Sequence, residues 1–213
     1  RRILRAMTMQ HKRLHSRRPG RSAAIGKSRS AAIGKSRRAA LAMPFAILVA
    51  AFSLAPLSAA AAVTATDMQI AARVLGFTTT PITGTVKLGI VYDPANATSA
   101  ADETALVGIL GSGLTVGAVT LVPVPVPIAS LSSASADVLF LTSGLGTAAG
   151  PVGSAAAAKK ILCMTTDTAA NAAGDCAVAV QSDPSVKITV NKAAAAASGV
   201  SFATAFTMMI TEI

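Results

Sequence analysis

Residues 39–57, AALAMPFAILVAAFSLAPL, carry no charged side chain, and the segment before them is strongly basic. This pairing divides the chain before any fold is considered. Residues 1–62 hold 13 of the 19 Lys and Arg and none of the nine acidic residues. After the apolar run comes Ser58-Ala59-Ala60-Ala61-Ala62, then Val63-Thr64-Ala65-Thr66-Asp67. A basic region, an apolar stretch and small residues at the −3 and −1 positions form a secretory signal pattern, with cleavage expected after Ala60, Ala62 or Ala65. The competing reading is a membrane anchor, since the run approaches the ~20 residues that span a bilayer. Pro44 and Pro56 interrupt it, and no charged stop-transfer cluster follows. The octapeptide RSAAIGKS occurs at 21–28 and again at 29–36, which reads as a local duplication in a low-complexity tail. The expected organisation is therefore a removed tail and signal over 1–62, and one folded domain over 63–213. The destination is the periplasm or the cell exterior.

The remaining 151 residues constrain chemistry as strongly. They hold six basic against nine acidic residues, a net charge of −3, so nucleic-acid binding is not expected of the mature domain. Both histidines, His11 and His15, lie in the tail. Ser-His-Asp and Cys-His catalysis and His-based metal sites are thus outside the mature domain's means. The expectation is a domain without catalytic activity, metal or cofactor.

Apolar spacing predicts a helix over Met68–Phe77, capped by Thr66-Asp67 and carrying Ile70, Val74 and Phe77 on one face. Val86–Tyr92 reads as a strand stopped by Asp93-Pro94. Ser99–Leu110 reads as a helix with Asp102 and Glu103 in its first turn, and Val116–Val122 as a second strand. Pro123, Pro125 and Pro127 remove three donors, so that stretch is an extended edge or connector, followed by a short helix over Ile128–Ser135. Asp137–Thr142 and Ile161–Thr165 are buried strands. Gly144–Gly153 reads as a loop, Ser154–Lys160 as a helix and Thr166–Asp175 as a polar loop. Cys176–Gln181 and Val186–Val190 form a hairpin around Ser182-Asp183-Pro184-Ser185. Helices over Asn191–Ala197 and Ser201–Thr211 end the chain. Such alternation specifies a single Rossmann-like three-layer α/β domain, with a mainly parallel sheet, a C-terminal β-hairpin and terminal helices.

Candidate sites are few. Gly144-Leu145-Gly146-Thr147-Ala148-Ala149 outlines a dinucleotide loop, with Asp167 near the expected offset. Gly150-Pro151-Val152-Gly153 is expected to break the helix that would receive the phosphates, so the loop reads as a crossover. Asp93 and Asp167 both end parallel strands and are the candidates for a ligand edge, although strand-ending Asp is also ordinary turn chemistry. Ser143 and Ser154 are expected to lack a base. Cys163 and Cys176 are the only cysteines. Export favours a disulfide between them, and a buried free Cys163 is the alternative.

The stretch Gly174–Glu212 runs GDCAVAVQSDPSVKITVNKAAAAASGVSFATAFTMMITE. Its glycine-led strand, turn, strand ending in Asn, Ala-rich helix, Gly and final helix resemble the C-terminal signature of the YfiR-like family of periplasmic proteins. Gly174, Asn191 and Gly199 are the positions that carry it. Upstream, the helix, strand and Asp order also agrees. The resemblance implies a non-enzymatic regulator that binds a membrane-protein partner, the periplasmic part of a diguanylate cyclase, under redox control through cysteines. Cys163 and Cys176 fall near the family's late cysteine region, while its earlier cysteines have no counterpart here. Two other readings stand beside it. One is a small solute-binding module of periplasmic-binding-protein type. The other is an exported structural subunit, which would self-associate without another partner.

The first expectation is open to intact-mass measurement. Exported protein should lack everything before about Val63, whereas protein that retains the Arg-rich tail would overturn the signal-peptide and periplasm readings.

Overall fold

A computed structural model describes residues 62–213. The basic tail, its repeat and the charge-free run lie outside the described residues. No helix among the described residues is long and apolar enough to cross a membrane.

Eight strands form one sheet in the order β2-β3-β1-β4-β5-β6-β7-β8. β1 (Gly84–Tyr92) lies between β3 (Val119–Pro127) and β4 (Val138–Leu141), parallel to both. β5 (Leu162–Thr165) and β6 (Val178–Gln181) continue the parallel run. β2 (Leu114–Val116) pairs antiparallel with β3, and β7 (Lys187–Val190) antiparallel with β6. β8 (Thr211–Glu212) closes the far side parallel to β7. Taken alone, the five mutually parallel strands have the order 2-1-3-4-5 of doubly wound, flavodoxin-like sheets. The expected α/β architecture is present.

Alternate residues of the central strands feed two apolar layers, which is why these strands read as continuous apolar runs. Leu88, Ile90, Phe140 and Met164 face a core shared with α1 (Ala65–Leu75) and α2 (Ala97–Leu110). Leu139, Leu141 and Cys163 face a second core with α3 (Gly150–Lys159) and α4 (Thr168–Ala173). With only 3% aromatic residues, these layers are filled by Leu, Val, Ile, Met and Ala. Close approach follows. A Cβ on Gly89, in the middle of β1, would stand 2.7 Å from the Ala136 Cβ and 3.0 Å from Leu139 Cδ2.

Several elements differ from the sequence expectation. α1 is capped by Thr64, not by Thr66-Asp67: the Thr64 hydroxyl accepts the Asp67 N–H, and the Asp67 carboxylate accepts the Thr64 N–H. Cleavage after Ala65 would delete that cap and the buried Val63. The expected strand over Val116–Val122 is two strands, because Gly117-Ala118 makes a turn that folds β2 onto β3. β3 then runs on through the prolines. Gly84 N–H donates to Ala118 C=O at 2.7 Å, so even-numbered residues of β3 bond β1. Pro123, Pro125 and Pro127 share the other parity and face the side that β2 leaves open beyond Leu121. The expected edge character is thus correct, within a longer strand. Ile128–Ser130 is a short 3-10 turn.

Further on, α3 starts at Gly150 and accommodates Pro151 in its first turn, where a missing N–H costs nothing. The expectation of a Pro-broken helix is overturned. The expected polar loop Thr166–Asp175 contains α4, because Asp167 caps it by accepting the Ala169 and Ala170 N–H groups. The hairpin β6–β7 and α5 (Lys192–Ala197) stand as expected. The last helix does not extend over Ser201–Thr211. Phe202 and Phe206 pack with each other, and Phe206 stacks on Phe77, leaving one helical turn, α6 (Thr204–Thr207). Backbone pairing of β8 with β7 then outcompetes further helix.

Gly89→Ala should destabilise the domain by about 1–3 kcal/mol, the usual cost of overpacking a tight core. Thermal unfolding reads this as a Tm loss of about 2–4 °C per kcal/mol. A variant that melts with the parent would show that the contact with Ala136 yields freely.

Candidate functional site

In sheets of this order, ligands bind beyond the carboxyl ends of the strands, where successive crossovers diverge. Here that point lies between β1 and β4, and the chain's own side chains fill it. Thr142, which follows β4, donates its hydroxyl to Val91 C=O at 2.9 Å. With that proton committed, the Ser99 hydroxyl donates to Thr142 Oγ1 at 2.7 Å and accepts the Asp93 N–H at 2.9 Å. Asn96 caps α2 by accepting the Ser99 N–H and donates to Gly144 C=O at 2.9 Å. Gly144 has φ +80°, and a Cβ there would meet Thr98 at 3.1 Å. Its freedom serves packing against α2. The glycine loop that outlines a dinucleotide motif is thereby engaged with its own protein.

Asp102 is the centre of this closure. α2 begins at Ala97, so Asp102 lies in its second turn and points inward, not in the first turn as expected. One oxygen, Oδ2, accepts the Ser143 N–H at 3.0 Å and the Ser143 hydroxyl. Ser143 therefore does have a carboxylate partner, contrary to the sequence expectation. Both residues are buried. Among the described residues no third group hydrogen-bonds the carboxylate, and the pair ties the end of β4 to α2.

The open space lies farther along the edge. A cavity of about 450 Å³ is bounded by Ser143, by Thr166 and Asp167 after β5, by Asp183 in the β6–β7 turn, and by Thr64 and Asp67 at the start of α1. Of the two ligand-edge candidates, Asp167 lines this cavity. Asp93 does not, and instead accepts the Ala95 N–H at 2.9 Å in an ordinary Asx turn. Asp167 also borders a shallower hollow with Asp175. Burial, and secondarily the Asp167 charge, push the Asp175 carboxyl above its ordinary range. The sequence names Asp67 only as part of a helix cap and Asp183 only as a turn residue, neither as a site residue. The spacing Thr64-x-x-Asp67 of a capping box was the available signal for the first.

Of the three positions that carry the C-terminal resemblance, Gly174 and Asn191 meet in one knot, and the exposed Gly199 lies apart from it, near Lys160. Gly174 ends α4 in the left-handed region at φ +87°, and a Cβ there would approach Asn191 Nδ2. Asn191 caps α5 through its Oδ1 and donates from Nδ2 to Asn171 C=O at 2.9 Å. Asn171 in turn donates to Cys176 C=O at 2.9 Å. Gly199, at φ +69°, ends α5 as the Val200 N–H reaches back to Ala195 C=O. Cys163, on β5, and Cys176, just ahead of β6, form a disulfide with their Cα atoms 4.7 Å apart. Both are buried.

Protein recovered from an oxidising compartment should titrate no free thiol under denaturing, non-reducing conditions. Its reduced form should lose about 3 kcal/mol of stability by the loop-entropy estimate. Two titratable thiols would show the bridge to be absent from the native protein.

Neither a protein-family model nor a curated protein matches this chain. Its fold is similar to that of a conserved domain protein from Vibrio cholerae, known from a crystal structure, with a TM-score of 0.50 and 15% identity. The similarity covers 70% of this chain and 59% of that one, so the chain spans less than two thirds of its neighbour's length. At this identity the likeness concerns fold alone.

Proposed function

We propose that the mature domain is an exported, non-catalytic regulatory adaptor of the YfiR-like kind, acting on a membrane-protein partner in the periplasm. The periplasmic part of a diguanylate cyclase is the partner that the sequence resemblance implies. The observation that carries this reading is the end of the signature segment. Met208, Met209 and Ile213 are 81%, 67% and 49% exposed around β8, the outermost strand on its side of the sheet. Large apolar side chains beside a strand edge are costly in water and suit a protein surface. The disulfide and the knot of Asn171 and Asn191 fix the root of this segment, so a partner would meet a preorganised surface. A non-catalytic role accords with the lack of histidine after residue 15 and with the Ser143 hydroxyl being bound to buried Asp102. The signal pattern and the disulfide support export.

The solute-binding reading draws on the cavity at the carboxyl edge. Self-association through β8 is the alternative use of the same exposed strip.

The test is co-expression with membrane diguanylate cyclases of the host. The wild-type chain should lower cyclic-di-GMP. The double variant Met208→Asp, Met209→Asp should weaken partner binding by at least about tenfold, the ~1.4 kcal/mol typical of interface anchors. Its Tm should stay with the parent, because both side chains are exposed. A wild-type chain without effect on the cyclases, or a double variant that represses equally well, overturns the adaptor reading. Concentration-dependent dimers lost in the same variant would favour self-association.

A further inference from the structure

The chain has seven methionines, and their surroundings divide them. Met68 in α1 and Met164 in β5 are fully buried in the core that the sheet shares with α1 and α2. Met7, Met9 and Met43 precede Val63. Met208 and Met209 stand side by side in the turn between α6 and β8, 81% and 67% exposed. The Met209 N–H donates to Phe206 C=O at 2.9 Å, so the backbone of the turn is held while both side chains stand in water. The cysteines offer no competing sulfur: Cys163 and Cys176 are bridged and buried, and no free cysteine exists among the described residues. Met208 and Met209 are therefore the exposed oxidisable sulfurs of the described residues.

We propose that Met208 and Met209 form a modification site, at which a peroxide converts the two thioethers to sulfoxides and so switches off the apolar strip around β8. A thioether sulfur is oxidised where an oxidant can reach it, so exposure sets the order of attack. With hydrogen peroxide, the sulfur lone pair attacks one peroxide oxygen. The S–O bond forms as the O–O bond breaks, and the departing hydroxide takes the proton left on the transferred oxygen and leaves as water. Sulfur loses two electrons and the peroxide gains them. The flexible apolar side chain becomes a polar, chiral one.

Position gives the reaction its consequence. Met208, Met209 and Ile213 make up the exposed apolar strip beside β8. Leucine would supply similar apolar area without a reactive sulfur, whereas methionine adds adaptability and polarisability. A sulfoxide there puts an acceptor where a partner brings apolar groups, and on docking that acceptor loses its water without gaining a donor. On the export reading the strip works outside the reducing cytosol. The effect on a membrane partner rests on the adaptor reading; the site of oxidation does not.

In the experiment, exported protein is treated with hydrogen peroxide and mapped by peptide mass spectrometry over time. Met208 and Met209 should each gain one oxygen at least about tenfold faster than Met68 or Met164. The Tm should stay with the parent's, because both side chains are exposed, and the oxidised chain should elute earlier from a phenyl column. The double variant Met208→Leu, Met209→Leu keeps the apolar strip and lacks the sulfurs, so peroxide should leave its elution unchanged. With the solubilised cyclase that the wild-type chain represses, the oxidised parent should bind severalfold more weakly, and peroxide should not weaken the Leu variant. Oxygen on Met68 or Met164 as early as on Met208 and Met209 overturns the site, whatever becomes of the adaptor reading. So does an oxidised chain that elutes with the parent, or a Leu variant that shifts equally under peroxide. Oxidised parent that binds the cyclase as tightly as before overturns the switch. If no cyclase responds to the wild-type chain, the switch falls with the adaptor reading, and the peptide map still decides the site.

Discussion

Asp102 decides where this domain is open. Its carboxylate is buried, and a buried carboxylate must be bonded or be very costly. The backbone and the hydroxyl of Ser143 supply the bonds, and they hold the exit from β4 against α2. With Ser99 and Thr142 linked alongside, the divergence point between β1 and β4 is filled. Doubly wound sheets ordinarily receive ligands there. The same edge opens instead over β5 and β6, where the turn after β5, the β6–β7 hairpin and the start of α1 leave room. The position of the cavity is therefore a consequence of how β4 is tethered.

The sheet was legible in the sequence because its central strands are short apolar runs bounded by Asp, Gly and Pro. Val138–Leu141 and Leu162–Thr165 fall inside the expected strands Asp137–Thr142 and Ile161–Thr165. The hairpin was legible from Ser182-Asp183-Pro184-Ser185. Three kinds of signal misled. Pro151 looked like a helix breaker, yet it occupies a first turn, where proline fits. The polar composition of Thr166–Asp175 hid α4, whose only announcement is Asp167 as a cap. The spacing of Phe202, Phe206 and Ile210 suggested a long helix, but the aromatic contact with Phe77 and the pairing of β8 decide that segment. Those are tertiary interactions with no local signature.

The candidate site was less legible, because it is assembled from distant segments. Asp167 was visible as a strand-ending carboxylate. Asp67 was visible only as a helix acid, and Asp183 only as a turn residue. Nothing in one sequence places positions 67, 167 and 183 around one cavity. The same holds for Asp102 and Ser143, separated by 41 positions. By contrast, the turn chemistry of Gly174, Asn191 and Gly199 could be read locally. Each serves a cap or a left-handed backbone position, and Asn191 alone adds a contact that reaches across to another helix.

The two edges of the sheet are treated differently, and this difference bears on the surface proposed for the adaptor reading. On the β3 side, the stretch beyond β2 presents Pro123, Pro125 and Pro127 outward. A strand approaching there would find carbonyls but no N–H donors, so it could not complete a ladder. That edge is closed to β-addition, and among the described residues no strand pairs with it beyond Leu121. On the opposite side, Ile213 bonds Val190 of β7 through its N–H and Lys192 through its C=O, so Thr211 shares that inward parity and Glu212 turns its N–H outward, with Met208, Met209 and Ile213 exposed around it. Backbone donors give affinity and neighbouring apolar side chains give selectivity in strand addition. The domain thus blunts one edge with prolines and leaves the other with an outward N–H among exposed apolar side chains, and the proposed adaptor surface is placed on the second.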